Sequence, residues 1–243
     1  MSQFNQHPDN NPYAYRGPAA QAPVASRAEF IRKTYFHLAG AILAFVLVEA
    51  AVFQFVDVER LTSTMLTGRL GWLVVLGLFM GVSWVANQWA SSDTSKPMQY
   101  LGLSLYVVAQ AIIFVPMLFI ASRLSDPDII PTAALLTMMV FLGLTAVAFV
   151  TRADFSFLRG ILMIAGFAAI GTIVAAAIFG FTLGILFTSL MIVFAGGYIL
   201  YDTSNVLHHY RTDQHVAASL ALFASVALLF WYVLRLLMSL NRR

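Results

Sequence analysis

Phe179-Gly180-Phe181-Thr182-Leu183 is the stretch on which the fold turns. It joins two apolar runs, Leu158 to Phe179 and Leu183 to Tyr201, each close to the ~20 residues a helix needs to cross a bilayer. A break at Gly180-Phe181-Thr182 yields two crossings; a continuous reading yields one and moves the C-terminus to the other side of the membrane. The expectation here is two. Outward from this junction, comparable runs cover Tyr35 to Val56, Leu70 to Trp89, Tyr100 to Ala121, Pro131 to Val150 and Val216 to Leu240. They are continuously apolar instead of alternating, so they read as helices, whose backbone hydrogen bonds close within each segment as lipid demands. The fold class expected is an all-α integral membrane protein with seven transmembrane helices.

Composition agrees. Of 243 residues, 60% are hydrophobic and only 10% charged, and the mean hydropathy is +0.81. These values lie outside the soluble globular range and exclude a soluble enzyme. The chain has no cysteine, which removes disulfides, thiolate metal sites and cysteine nucleophiles. Residues 1–28 differ from the rest. Asn5, Gln6, Pro8, Asn10, Asn11, Pro12, Pro18 and Pro23 show no helical apolar period, so 1–28 read as a disordered cytoplasmic tail and 29–243 as the transmembrane domain. The tail lacks the features of a cleaved secretory signal, and the first span is expected to be retained.

Basic residues set the expected orientation. Arg16, Arg27, Arg32, Lys33, Lys96, Arg152, Arg159 and Arg211 fall on the N-terminal side; Arg60, Arg69, Arg123, Arg235, Arg242 and Arg243 fall on the other. The four ahead of the first span dominate, so the N-terminus is expected in the cytoplasm and the C-terminus outside.

Any chemistry must lie in the bundle, at its mouths or in the tail, because the loops are too short for another domain. Glu49, two thirds along the first span, is an intramembrane acidic candidate, either an ion or proton ligand, a carboxyl near the outer interface, or one kept neutral by burial. Gln110, Ser104, Thr145, Thr188 and Ser189 read as interhelical hydrogen-bonding groups. Gly77 with Gly81, and Gly196 with Gly197, read as close-packing positions, and Pro116 as a kink. Asp202, Asn205 and His209 recur at three- and four-residue steps, a spacing that puts them on one helix face able to bind a cation or respond to protonation. The spacing of His208, His209 and His215 matches no standard metal motif. In the loop Thr151 to Gly160, Asp154 or Ser156 can cap the next helix, and Arg152 and Arg159 can anchor at the headgroups. An intramembrane aspartyl protease needs a second carboxylate in the last span, and none occurs from Val216 to Arg243; a Gly-x-Ser-x-Gly elbow is also absent. No enzymatic activity, cofactor, bound metal or nucleic-acid partner is expected.

Four stretches together carry a resemblance: Phe30-Ile31-Arg32-Lys33-Thr34-Tyr35-Phe36, Asp154-Phe155-Ser156-Phe157, Tyr198 to Asn205, and Leu234-Arg235-Leu236-Leu237. Their order and spacing resemble the Bax inhibitor-1 family, and within it the YccA-like bacterial branch. The resemblance implies a seven-helix bundle with the last helix central. It implies two functions: a calcium leak gated by an aspartate pair near the cytosolic mouth, or, in the YccA-like branch, association with the membrane AAA protease FtsH and modulation of its proteolysis. Asp202 matches the first member of the aspartate pair, whereas Ser225 stands where the second would lie. Leu228 replaces an Asn frequent among relatives, and Asn87-Gln88-Trp89 lacks the arginine that some channel members use as a lock. A lone carboxylate lacks the coupled titration on which such a gate depends. The branch also uses Ser at the Ser225 position and a flexible tail that the protease engages. The resemblance therefore favours modulation of FtsH-type proteolysis in the bacterial inner membrane, with a calcium or other cation leak as the alternative.

Overall fold

A computed structural model describes residues 17–68, 70–92 and 95–241. Among them lie eight α-helices: α1 (Val24–Phe55), α2 (Val58–Met65), α3 (Gly71–Ala90), α4 (Lys96–Leu124), α5 (Ile129–Thr151), α6 (Leu158–Phe179), α7 (Ile185–His208) and α8 (His215–Asn241). All but α2 are long and apolar enough to cross a membrane, giving seven spans. Large apolar residues such as Leu78, Phe167 and Val193 face outward, where lipid is their solvent.

The break after Phe179 has a local cause. Gly180 takes φ 77°, and its N–H donates to the Ala176 carbonyl at 2.9 Å. Glycine enters this left-handed conformation without a Cβ penalty and so closes the last turn of a helix. α6 therefore stops, the chain turns through residues 180–184, and α7 starts as a separate crossing.

The last helix is the hub. In α8, 72% of the most apolar stretch is buried, against 11% in α3 and in α6, which puts α8 inside and those two helices at the rim. α8 packs against α1, α3, α4, α5 and α7, whereas α6 rests mainly on α7. Phe114 of α4 and Leu220, Leu222, Leu229 and Leu234 of α8 are almost wholly inaccessible in this core.

Several expectations require correction. Residues 17–28 are structured, although their composition suggested an unfolded tail; residues 1–16 lie outside those described. Ala19 is fully buried, its N–H donates to the Tyr210 carbonyl at 2.8 Å, and Pro18 pairs with Arg211. Contact with the α7–α8 turn orders this segment, which no local pattern could reveal. α1 starts at Val24, ahead of Tyr35, and its 32 residues span ~48 Å against a ~30 Å hydrocarbon core. The excess includes Glu29 and Lys33, joined at 2.7 Å across one turn. The unforeseen α2 is a short helix whose N-terminus is capped by Asp57, with Oδ1 accepting from the Arg60 N–H at 3.0 Å. Thr188, expected to bond across helices, donates to the Gly184 carbonyl at the start of its own helix.

The close-packing glycines also differ in part. A Cβ on Gly77 or Gly81 would meet nothing within 4 Å, so these two do not mediate a tight helix contact. Gly196 and Gly197 do sit under neighbours, Leu144 at 3.3 Å and Leu162 at 3.0 Å from a built Cβ. The tightest approach is at Gly102 of α4, where a Cβ would come within 2.5 Å of the Ala86 carbonyl oxygen and the Ala90 nitrogen of α3. Those backbone atoms cannot swing aside, so Gly102→Ala must separate α3 from α4. The expected cost is about 1–3 kcal/mol, seen as a lower unfolding temperature of the detergent-purified protein, whereas Gly77→Ala, whose methyl meets nothing and favours the helix, does not lower it.

Candidate functional site

Asp202 sits near the end of α7 and Ser225 on α8, two antiparallel helices joined by a short turn. Both are buried, at 7% and 4% exposure. The Ser225 hydroxyl donates to Asp202 Oδ2 at 2.5 Å, within the short range typical of a hydroxyl on a carboxylate. The structure thus joins the two residues that stand at the positions of the aspartate pair, and a serine makes the contact.

This pair lies at one end of a cavity of about 770 Å³ bounded by α3, α4, α6, α7 and α8. Tyr106 and Gln110 of α4 share that end's polar lining, whereas Arg235 and Leu183 line the far end. Ser225 and Arg235 are ten residues apart on α8, or ~15 Å at 1.5 Å per residue. Between them the wall is aromatic. Trp72 stacks on Trp231 with centroids 5.7 Å apart, and Phe114 meets Trp231 edge-on at 4.9 Å. The cavity exists because α6 leans on α7 and makes no comparable contact with α3 or α4.

The expected grouping of Asp202, Asn205 and His209 on one face does not form a single site. α7 ends at His208, so His209 leaves the helical row. Its Nε2 lies 3.2 Å from Asp154 Oδ1, at the protein surface. The Asn205 backbone carbonyl accepts from His209 N–H and Tyr210 N–H, both at 2.9 Å, and closes the helix end. His215 lies against His37, ring centroids 4.9 Å apart, whereas the His208 and His209 rings meet edge-on at 6.2 Å, so the three do not converge on one site.

The loop before α6 is also built differently from expectation. Neither Asp154 nor Ser156 caps α6; the N-cap is Phe157 and makes no side-chain bond. Asp154 Oδ1 accepts from the Ser156 N–H at 2.9 Å, folding the loop on itself. Buried Ser204 of α7 ties it down by accepting from the Phe155 N–H at 2.9 Å. The Ser156 N–H, helped by His209, holds the Asp154 carboxyl down at about 2. Arg152 ends α5 in the left-handed conformation, at φ 50°. On the adjoining turn, Arg211 grips Asp213 through Nε at 3.1 Å and Nη2 at 3.0 Å, which lowers the Asp213 carboxyl below its ordinary range.

Glu49 is buried in α1, and neither carboxyl oxygen has a hydrogen-bond partner among the described residues. It does not line the cavity. Arg235 is a cavity residue to which the sequence reading gave no site role, having used it as a basic residue for orientation and as part of the motif Leu234-Arg235-Leu236-Leu237. Its signal was a charge inside the last apolar run.

The family profile described as "Inhibitor of apoptosis-promoting Bax1" matches residues 27–242. Bax inhibitor 1 of Schizosaccharomyces pombe is 28% identical, over 97% of this chain and 87% of its own length. Protein LIFEGUARD 3 of Arabidopsis thaliana is 27% identical, over 93% and 90% of the two chains. An uncharacterized membrane protein of Vibrio cholerae is 32% identical over 52% of this chain and 57% of its own.

Two outcomes follow from the geometry. Ser225→Ala removes the donor from a buried carboxyl and is expected to cost about 1–3 kcal/mol, read as a fall in unfolding temperature, whereas Asp202→Asn keeps an oxygen acceptor for Ser225 and costs less. Because the folded Asp154 value is depressed from 3.8 to about 2, its contribution is fully present above the unfolded value and fades as pH falls toward 2. Protection of the Ser156 amide against hydrogen exchange, corrected for intrinsic rates, is therefore the same at pH 5 and pH 7, and Asp154→Ala reduces it at both.

Proposed function

The chain belongs to the Bax inhibitor-1 family, and from that premise we propose that it is a non-enzymatic, multi-pass protein of the bacterial inner membrane that associates with an FtsH-type AAA protease and modulates membrane-protein quality control. The observation that carries this reading is the Ser225–Asp202 contact. A serine cannot share a titrating proton between two carboxyls, so the coupled pair on which a pH-gated leak depends is missing. The segment at Pro18 and Ala19 docks beside the α7–α8 turn, on the face that the basic residues assign to the cytoplasm. In this reading residues 1–16, which precede it in sequence, are the length of chain that the protease engages.

A second reading, a calcium or other cation leak, draws on a different observation: Asp202 and Gln110 line a large cavity inside the bundle. A single carboxylate offers hard oxygen ligands for a cation, with no second carboxylate beside it to complete the site.

Crosslinking in native membranes followed by purification distinguishes the two. The modulator reading expects specific recovery of the AAA protease with the full chain, and a longer cellular lifetime when residues 2–16 are deleted. Deletion here spares the docked Pro18–Ala19 segment. Well-expressed protein that brings down no protease shifts the assignment to the leak. In proteoliposomes the leak reading expects Asp202→Asn to alter calcium flux and Ser225→Asp to introduce pH dependence. Flux indistinguishable between wild type and Asp202→Asn removes that residue from any conduction.

A further inference from the structure

The cavity carries a positive charge that no side chain neutralises. Arg235 lines it, and its Nη2 donates to the Leu183 carbonyl at 3.0 Å. Among the described residues it forms no ion pair. A guanidinium has five N–H donors in a planar fork that matches a carboxylate with two parallel bonds. One backbone carbonyl leaves most of that capacity unused. Arg235 lies near the end of α8 and lines the cavity, and the unused part of its fork is what an anion in that cavity would bind.

The remaining wall specifies what that anion is attached to. Trp72, Phe114, Ile173 and Trp231 give an apolar lining, which favours a hydrocarbon chain. The ~15 Å from Arg235 to Ser225 along α8 accommodates about twelve extended methylenes, at ~1.25 Å each for a ~1.5 Å carbon–carbon bond at a near-tetrahedral angle. At about 770 Å³, the cavity falls within the ~300–1,000 Å³ of sites for one small ligand, the scale of a single chain. At the opposite end Asp202 is already engaged by Ser225 and offers no cation to an anionic head, so the head group belongs at Arg235.

Access is from the bilayer. Met80 on α3, Ile170 on α6 and Phe181 in the α6–α7 loop line the cavity and are 47%, 37% and 48% exposed. With α6 packed mainly on α7, the cavity opens sideways between α3 and α6.

We propose that this cavity is a binding site for a long-chain fatty acid, with its carboxylate held by Arg235 and its chain laid along the Trp72–Phe114–Trp231 wall. The proposal does not rest on the protease reading, and it concerns the same cavity on which the leak reading draws.

The chain has four tryptophans, so replacing Trp84 and Trp89 by Phe leaves Trp72 and Trp231, both on the cavity wall. Dibromotetradecanoic acid, whose twelve carbons between carboxyl and methyl match the Arg235–Ser225 length and whose bromines quench indole fluorescence on contact, is titrated into this full-length protein in detergent. Saturable quenching is expected, with the half-saturation concentration raised about tenfold or more by Arg235→Gln and less by Arg235→Lys, which keeps the charge but loses the fork. An unchanged titration for Arg235→Gln with native helicity overturns the proposal, as does equal affinity for the dibrominated methyl ester. A lower half-saturation for dibrominated phosphatidylglycerol overturns it in favour of a two-chain lipid. Should Arg235→Gln fail to fold, Ala224→Phe obstructs the cavity without touching the charge; it must abolish quenching, and retained quenching refutes the site.

Discussion

Burial of α8 at the centre of the bundle constrains everything else. A helix surrounded on nearly all sides must be apolar all round, and it can admit a polar group only where a neighbour satisfies it or a cavity receives it. The polar side chains of α8 follow this rule. Ser219 donates to its own helix at Val216, Ser225 donates to Asp202, and Arg235 reaches the Leu183 carbonyl at the cavity's far end. Five other spanning helices lean on α8, and the outermost one, α6, is left to define an opening.

Helix association in lipid draws little from hydrophobicity, because the tails are as apolar as the side chains; close packing matters more. Gly102 shows the principle, letting the α4 backbone approach the α3 backbone where any Cβ would collide. On the other side of the bundle α6 makes few such approaches, and the space left unfilled is the cavity. One pair of helices locked together and one helix held at a distance are thus complementary features of the same bundle.

The buried carboxyls differ in what surrounds them. Asp202 has a hydroxyl donor and borders the cavity, whereas Glu49 has no hydrogen-bond partner among the described residues and lies away from it. Asp154, at the surface beside His209 and the Ser156 N–H, stays ionised well into acid. Three carboxyls of similar intrinsic chemistry therefore occupy three electrostatic settings.

Local sequence was enough for the features that depend on local physics. Runs of apolar residues, lipid's demand for internally satisfied backbone and the left-handed freedom of Gly180 together determine seven helical spans, whereas it was the family resemblance that marked Asp202 and Ser225 as a pair. Features that depend on distant contacts were decided only by the tertiary structure. The segment 17–22 is ordered by the α7–α8 turn, to which it is remote in sequence. Gly77 and Gly81 had the pattern of a packing motif but no helix against them, whereas Gly102, in no such pair, has one at 2.5 Å. Helical spacing placed His209 with Asp202, yet the helix ends one residue too early and the imidazole turns to a loop contributed by residues some fifty positions away. The cavity, and with it the significance of Arg235, arises from how far α6 stands from its neighbours. Periodicity reports which face of a helix is apolar; only packing decides whether that face meets another helix, lipid or empty space.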